Sequence, residues 1–171
     1  GAEAPNIANA LLSGKASITS ADQGYELLAL SEQVSDDETA LAWFNSDAYQ
    51  PKRWRETLPD DSPFKQGFRD YLDRYGHRAV YEIDFTRPRW SEDPSYLLGT
   101  IKHTIGKQQL EAIKSQQQQQ AAQAWARVDN ELPWPTRRLL RYFARRATVG
   151  AAVREMAKSM YVKYLSPLRQ V

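Results

Sequence analysis

Arg74-Tyr-Gly-His-Arg78-Ala-Val-Tyr-Glu82-Ile-Asp84-Phe-Thr-Arg87-Pro-Arg89-Trp90 is the least periodic and most chemically loaded stretch of this chain. It puts four arginines, one histidine and two carboxylates into 17 residues. Pro88 disfavours helix at Arg87, so an irregular segment is expected. Ala79 to Phe85 is the one place where a short strand is conceivable. Ahead of it, Ser62-Pro63 gives an N-cap followed by proline at the first helical position. Phe64, Phe68, Tyr71, Leu72 and Tyr75 then recur at helical spacing, and Gly76 supplies a stop. His77 and Arg78 follow a helix C-terminus, where the helix dipole favours cations. Glu82 and Asp84 are placed to pin Arg87 or Arg89 through bidentate ion pairs.

Outward from this stretch the chain reads as helix throughout. Residues 6–13 suggest a short helix stopped at Gly14. Ser20 is the expected N-cap of a helix to about Val34, with Tyr25, Leu27, Leu28 and Leu30 on its apolar stripe. Ser35 and Glu38 have capping-box spacing and open a helix through Leu41, Trp43 and Phe44. Residues 46–61, with Pro51 and Pro59, look like a loop. On the other side, Asp93-Pro94 begins a helix expected to run to about Asn130 through a glutamine tract at 116–120 that reads as a solvated helix arm. Pro133 and Pro135 break the chain. Residues 136–165 then form one or two basic helices, with Gly150 a candidate bend. The expected fold is one all-α domain over residues 1–171, with 94–130 set antiparallel against 136–165.

Composition narrows the function. The 171 residues suffice for one buried core, and no apolar run is long enough to span a bilayer. Gly1-Ala-Glu-Ala-Pro5 lacks the basic and apolar regions of a secretory leader. There is no cysteine, which removes disulfides, thiolate metal sites and a cysteine nucleophile, and is compatible with a cytoplasmic location. Phosphate-loop, dinucleotide-binding and nucleophile-elbow motifs are absent. His77 and His103, the two histidines, form no metal-ligand cluster. The net charge of +2 conceals an asymmetry: residues 134–171 carry nine Lys/Arg against Glu155, or +8, leaving −6 on the rest. That basic third suits a polyanionic contact or a docking surface.

Two readings of the 74–90 segment stand on chemistry alone. Its charges satisfy one another in a structural loop, or they offer His and Arg to an anionic or polar ligand; structural ion-pair networks are the commoner case. Trp43, Phe44, Trp54, Phe64, Phe68, Tyr71 and Tyr75 suit core packing, and an apolar acceptor pocket would use similar residues. Arg137, Arg138, Arg141, Arg145 and Arg146 occur without a nucleic-acid module, which favours a solvated or docking face. Arg154 and Lys158, at i and i+4, share one helix face. Two cations there would suit a transferring phosphoryl group.

Tyr75-Gly-His-Arg78, Glu82-Ile-Asp84, Arg87-Pro-Arg-Trp90 and Glu92-Asp-Pro-Ser-Tyr-Leu-Leu98 together resemble the signature of the central domain of rifampin phosphotransferases. Related phosphoenolpyruvate-synthase-like proteins share it. Residues 12–30, with Thr19-Ser20-Ala21 and Gly24, resemble the start of that domain. Ala152-Val-Arg154-Glu-Met-Ala-Lys158, on to Leu168-Arg169, resembles its closing basic helix. Ala79-Val80-Tyr81 departs from the pattern, because relatives often carry smaller residues there.

The resemblance implies a fragment of a multidomain enzyme. An ATP-grasp domain using ATP and magnesium would cleave the nucleotide, a mobile domain would carry a phosphohistidine, and the helical domain would hold the small-molecule acceptor. In the rifampin enzymes that acceptor is a hydroxyl of the antibiotic. The carrier histidine lies in a Gly-Gly-x-x-Ser/Thr-His context that neither His77 nor His103 has. His77, Arg78, Glu82, Asp84, Arg87 and Arg89 are then expected to bind substrate, and Arg154 and Lys158 to line the phosphoryl path. On this reading the fragment itself holds no cofactor and binds without turnover. A helical interaction module docking through its basic C-terminal helix is the alternative from another class, and nonspecific polyanion binding a weaker one.

Overall fold

A computed structural model describes residues 10–11, 19–47, 49–82, 84, 86–107 and 110–165. Seven bounded α-helices occur among them: α1 Thr19–Asp36, α2 Glu38–Asn45, α3 Trp54–Thr57, α4 Pro63–Tyr75, α5 Ser95–Thr104, α6 Leu110–Glu131 and α7 Trp134–Leu165. No strand occurs among the described residues, so the protein is all-α. In the described part of 79–85, residues 80–82 form a turn and residues 79 and 84 are irregular. Of the helix expected over 6–13, only Ala10 and Leu11 are described, and both are helical. Among the described residues, no helix is long and apolar enough to cross a membrane.

The chain divides into two compact units, one of residues 22–108 with 158–171, the other of 1–21 with 109–157. In the first, the α4 stripe does what its spacing predicts. Phe64, Phe68, Tyr71 and Leu72 are buried together with Trp43 and Phe44 of α2, Trp54 of α3, and Leu97, Leu98 and Ile101 of α5. Some rings meet edge-on or tilted, Trp54 on Phe68 at 4.9 Å, Phe44 on Phe64 at 5.4 Å and Tyr71 on Tyr75 at 5.0 Å, while Phe68 stacks on Phe64 and Tyr71. Aromatic contacts of this kind contribute about 0.5–1.5 kcal/mol beyond the burial of their surface. These aromatics therefore make the core, and Tyr75 is half-buried at its margin.

Several helix starts differ from expectation for a local reason. Thr19 and Ser20 are already helical, so Ser20 lies inside α1. Ser35 is likewise inside α1, and Asp37 caps α2, accepting from the Ala40 amide at 3.0 Å. Asp37 also accepts from Thr39 and, across the fold, from the Ser62 hydroxyl at 2.6 Å and the Phe64 amide at 3.1 Å. One buried carboxylate thus joins the starts of α2 and α4. Burial alone would raise its pKa, but these hydrogen bonds outweigh it and bring Asp37 down to about 2.

The expected loop at 46–61 contains a 3₁₀ turn, Pro51–Arg53, leading into α3. Trp54 is the reason, since burying its indole requires the backbone to turn inward there. Lys65 is also buried, its ammonium donating to the Arg55 carbonyl at 2.7 Å and to the Leu58 carbonyl. It thereby closes the end of α3 and reaches Asp60 at 2.8 Å.

The single helix expected over 94–130 is two. Gly106, with φ of 75°, separates α5 from α6, a backbone conformation that glycine adopts without the steric cost of a Cβ. In the second unit, α6 and α7 meet around the Pro133 corner. Arg137 donates to the Asp129 carbonyl at 2.9 Å, Arg141 holds the Asp129 carboxylate through both oxygens at 2.7 Å, and its guanidinium lies 5.0 Å from the Trp125 ring centre. α7 runs unbroken through Gly150. Leu110, Ala121, Ala124 and Val128 are the buried residues of α6.

Candidate functional site

The 74–90 segment is built from its root. α4 ends at Tyr75, and the Gly76 amide closes the last turn on the Leu72 carbonyl at 2.6 Å. A side chain at Gly76 would collide with that carbonyl and come within 3.0 Å of Ser91 Cβ. This close approach lets the returning arm of the loop pass: Trp90 N–H donates to Arg78 O at 2.9 Å and Ser91 N–H to Gly76 O at 3.0 Å. The loop is thus pinned by its main chain at both ends. Trp90 is buried in the aromatic core beneath it.

Inside the loop, Glu82 is the hub. Its carboxylate accepts from Arg78 Nε on one oxygen and pairs with Lys158 Nζ at 2.7 Å on the other. Its carbonyl accepts from Arg89 at 3.0 Å. Arg78 also donates to Gln23 of α1. Arg78 and Arg89 are 4% and 1% exposed, so these are interior contacts. Breaking one partner of such a pair costs about 3–5 kcal/mol, because a buried charge is left behind. Burial pushes the Glu82 carboxyl up, but the Arg78 and Lys158 hydrogen bonds more than offset this and hold it below its ordinary value. It is an anion at neutral pH.

His77 Nε2 lies 2.9 Å from the Ser159 hydroxyl, on the last turns of α7. Its pKa is lowered by burial first, then by the positive charges of Arg78 and Lys163. The cation that the preceding helix C-terminus would favour is therefore overridden by burial, leaving a neutral imidazole at neutral pH.

The remaining predicted residues fall differently. Asp84 accepts from Thr86 N and Oγ1 at 2.9 and 2.6 Å, which lowers its pKa, and approaches Arg87 only to 3.5 Å. Arg87 is exposed, its guanidinium 5.8 Å from the Tyr81 ring centre. Of the expected carboxylate–arginine pairs, Asp84 with Arg87 forms at 3.5 Å, and the Glu82 carboxylate is held elsewhere. Arg78 and Lys158 take that carboxylate, and Arg89 takes the main chain. Arg154 belongs to the other compact unit, where it pairs with Glu155 at 3.0 Å. His103 is exposed on α5.

An open cleft of about 500 Å³ is lined by Ala79, Val80, Tyr81, Glu82, Asp84 and Lys158. Val80 and Tyr81 give it an exposed apolar lip, and Glu82 with Lys158 a charged floor. The arrangement offers a cation already oriented by a carboxylate, beside surface able to pack an apolar molecule. Gln23 and Ser159 were not legible as site residues. Gln23 is one polar residue of an amphipathic helix, and Ser159 shows only its position next to Lys158.

Comparison with known proteins points to one family. Within this chain, 48 residues (28% of it) are 46% identical to a rifampicin phosphotransferase of Streptomyces sviceus, covering 6% of that relative. Over 36 residues (21% of its length) the chain is 53% identical to a rifampicin phosphotransferase of Bacillus subtilis, covering 4% of that relative. The matched stretches thus represent a small part of proteins much longer than this chain. The model of the rifampicin phosphotransferase fourth domain matches residues 1–155, and the chain belongs to that domain family.

Proposed function

We propose that this chain is the acceptor-binding domain of an ATP-dependent phosphotransferase that works through a phosphohistidine carrier. Its partners in the full-length protein would be an ATP-grasp domain, using ATP and magnesium, and the phosphohistidine domain; its site of action would be the cytoplasm. Rifampicin, named in both relatives, is the acceptor to test first. The observation that carries the reading is the Glu82–Lys158 pair at 2.7 Å, which joins the loop signature to the closing helix at the floor of an open cleft.

Arg78 is what frees the lysine to act. Because Arg78 already satisfies one Glu82 oxygen from the buried side, Lys158 is able to turn to an incoming phosphoryl oxygen without leaving the carboxylate unpaired. Lys158 is half-exposed and so reaches solvent, whereas Arg78 does not. A lysine placed this way stabilises negative charge as the phosphoryl group transfers, and its position is set before substrate arrives. Val80 and Tyr81 would pack the apolar body of the acceptor. Neutral His77 would hold the end of α7 through Ser159, keeping the Lys158 turn in place. Arg154, one helical turn earlier on α7, is proposed as a second cation for phosphoryl transfer.

The test is turnover of the full-length enzyme with rifampicin. Lys158→Ala is expected to lower kcat about 100-fold, the usual size for losing one preorganised charge-stabilising group, with a smaller change in KM. Arg154→Ala is expected to act in the same direction. Unchanged turnover in both variants would overturn the phosphate-path assignment. Titration of the 171-residue chain with rifampicin, followed by tryptophan quenching, tests acceptor binding separately.

A further inference from the structure

The first part of α7 turns two different faces in two directions. Leu140, Ala144, Thr148, Ala151 and Glu155 form its half-buried or buried face. Leu139, Tyr142, Val149, Val153 and Met156 are each 51–60% exposed, on the other side. Their spacing is three and four residues in alternation, with Arg146 filling the one missing place. In heptad terms Leu139, Arg146 and Val153 occupy a positions, and Tyr142, Val149 and Met156 occupy d positions. Such a seam is what a helix presents to a second helix. Here the helix has already used its inner face, and the seam lies open.

The charges say what kind of helix fits. Arg138 and Arg145 fall on g positions flanking the seam, and Arg146 lies within it. The other flank, Phe143, Gly150 and Ala157, is uncharged and includes two small residues that permit close approach. A second copy of α7 would bring arginines against arginines, because residues 134–171 carry +8 overall. We propose that the outward seam of α7 docks an acidic amphipathic helix, with a carboxylate opposite Arg146. This inference is independent of the acceptor-binding reading, since none of these residues lines the Glu82–Lys158 cleft. It sharpens a basic helix into a register and a polarity.

Two synthetic peptides of three heptads, about 21 residues each, supply the probe. Both carry leucine at a and d. One has glutamate on the flanks and facing Arg146, the other lysine at the same places. Anisotropy titration against the 171-residue chain at about 0.15 M salt should show the acidic peptide binding at least tenfold tighter. Val153→Asp, at an exposed position that leaves the buried face intact, should abolish binding. Arg146→Glu should reverse the preference between the two peptides. Equal binding of both peptides, no binding of either, or acidic binding indifferent to Val153→Asp would overturn the proposal. So would sedimentation showing a dimer that Val153→Asp splits, which would assign the seam to a second copy.

Discussion

The region around α4 and the region of α6 and α7 are both helical, but they solve burial in opposite ways. Around α4, Trp54, Phe64, Phe68 and Leu98 are completely enclosed, and the charged residues that go inside with them, such as Asp37, Lys65 and Arg78, each find partners. Along α6 and α7 the buried side chains are mostly small, Ala121, Ala124 and Val128, while Leu139, Tyr142, Phe143 and Val149 face outward. A folded unit with its own core keeps its large apolar groups. A unit that shows them offers a surface of the kind that interaction partners cover. Amino-acid content is not what separates the two; both are rich in aromatics and aliphatics. The direction in which those residues point is what differs.

Three substitutions would break or sharpen this contrast. Phe68→Ala removes a ring that touches Trp54, Phe64 and Tyr71. It should cost about 3–5 kcal/mol, read from the denaturant midpoint of tryptophan fluorescence. A loss below about 1 kcal/mol would show that the α4 region does not hold the principal core.

Asp37→Asn tests the polar joint between α2 and α4. Because the folded carboxyl sits at about 2 and its ordinary value is 3.8, its contribution is fully present above 3.8. That contribution is lost as pH falls through the folded value. Its size at neutral pH is about 2 kcal/mol. Thermal melts should therefore show wild type and variant differing by that amount at neutral pH and converging as the pH drops toward the folded value. A constant difference across that range would assign the loss to packing alone.

Asp129→Ala removes the carboxylate that Arg141 holds at the α6–α7 corner. The pair is exposed on both sides, so the expected loss is below about 1 kcal/mol, measured as a small shift in the helical melting curve. A loss of about 2 kcal/mol or more would mean that the corner, and not a covering partner, sustains these helices.

The sequence was most legible where periodicity and burial agree. The α4 stripe, the Ser62-Pro63 start and the irregular loop after Gly76 were all readable, because each rests on local chemistry. The cap of α2 was misplaced because Asp37 is chosen by Ser62 and Phe64, residues about 25 positions away that no local pattern reveals. The break at Gly106 has no decisive local signal, because a lone glycine inside an apolar period is also tolerated within helices. In the loop, the pairing of Glu82 differs from the expected one. Sequence offers Glu82 several arginines at short range, and only folding decides that Arg78 comes from one side and Lys158 from another. The outward seam of α7 was hidden for a related reason: its apolar residues have the same spacing as a core stripe, and orientation is a tertiary property.

The closure of the 74–90 loop has one more consequence. Its root is fastened by main-chain groups of residues 76, 78, 90 and 91, and of these position 76 alone demands glycine because of the close approach of Leu72 and Ser91. Within that ring, Glu82 and Arg89 are tied to the interior, while Val80, Tyr81, Thr86 and Arg87 are exposed. Evolution can therefore rewrite the outer positions without loosening the clasp, much as a ring setting takes different stones. The loop can thus change its outward surface one residue at a time, at little risk to folding.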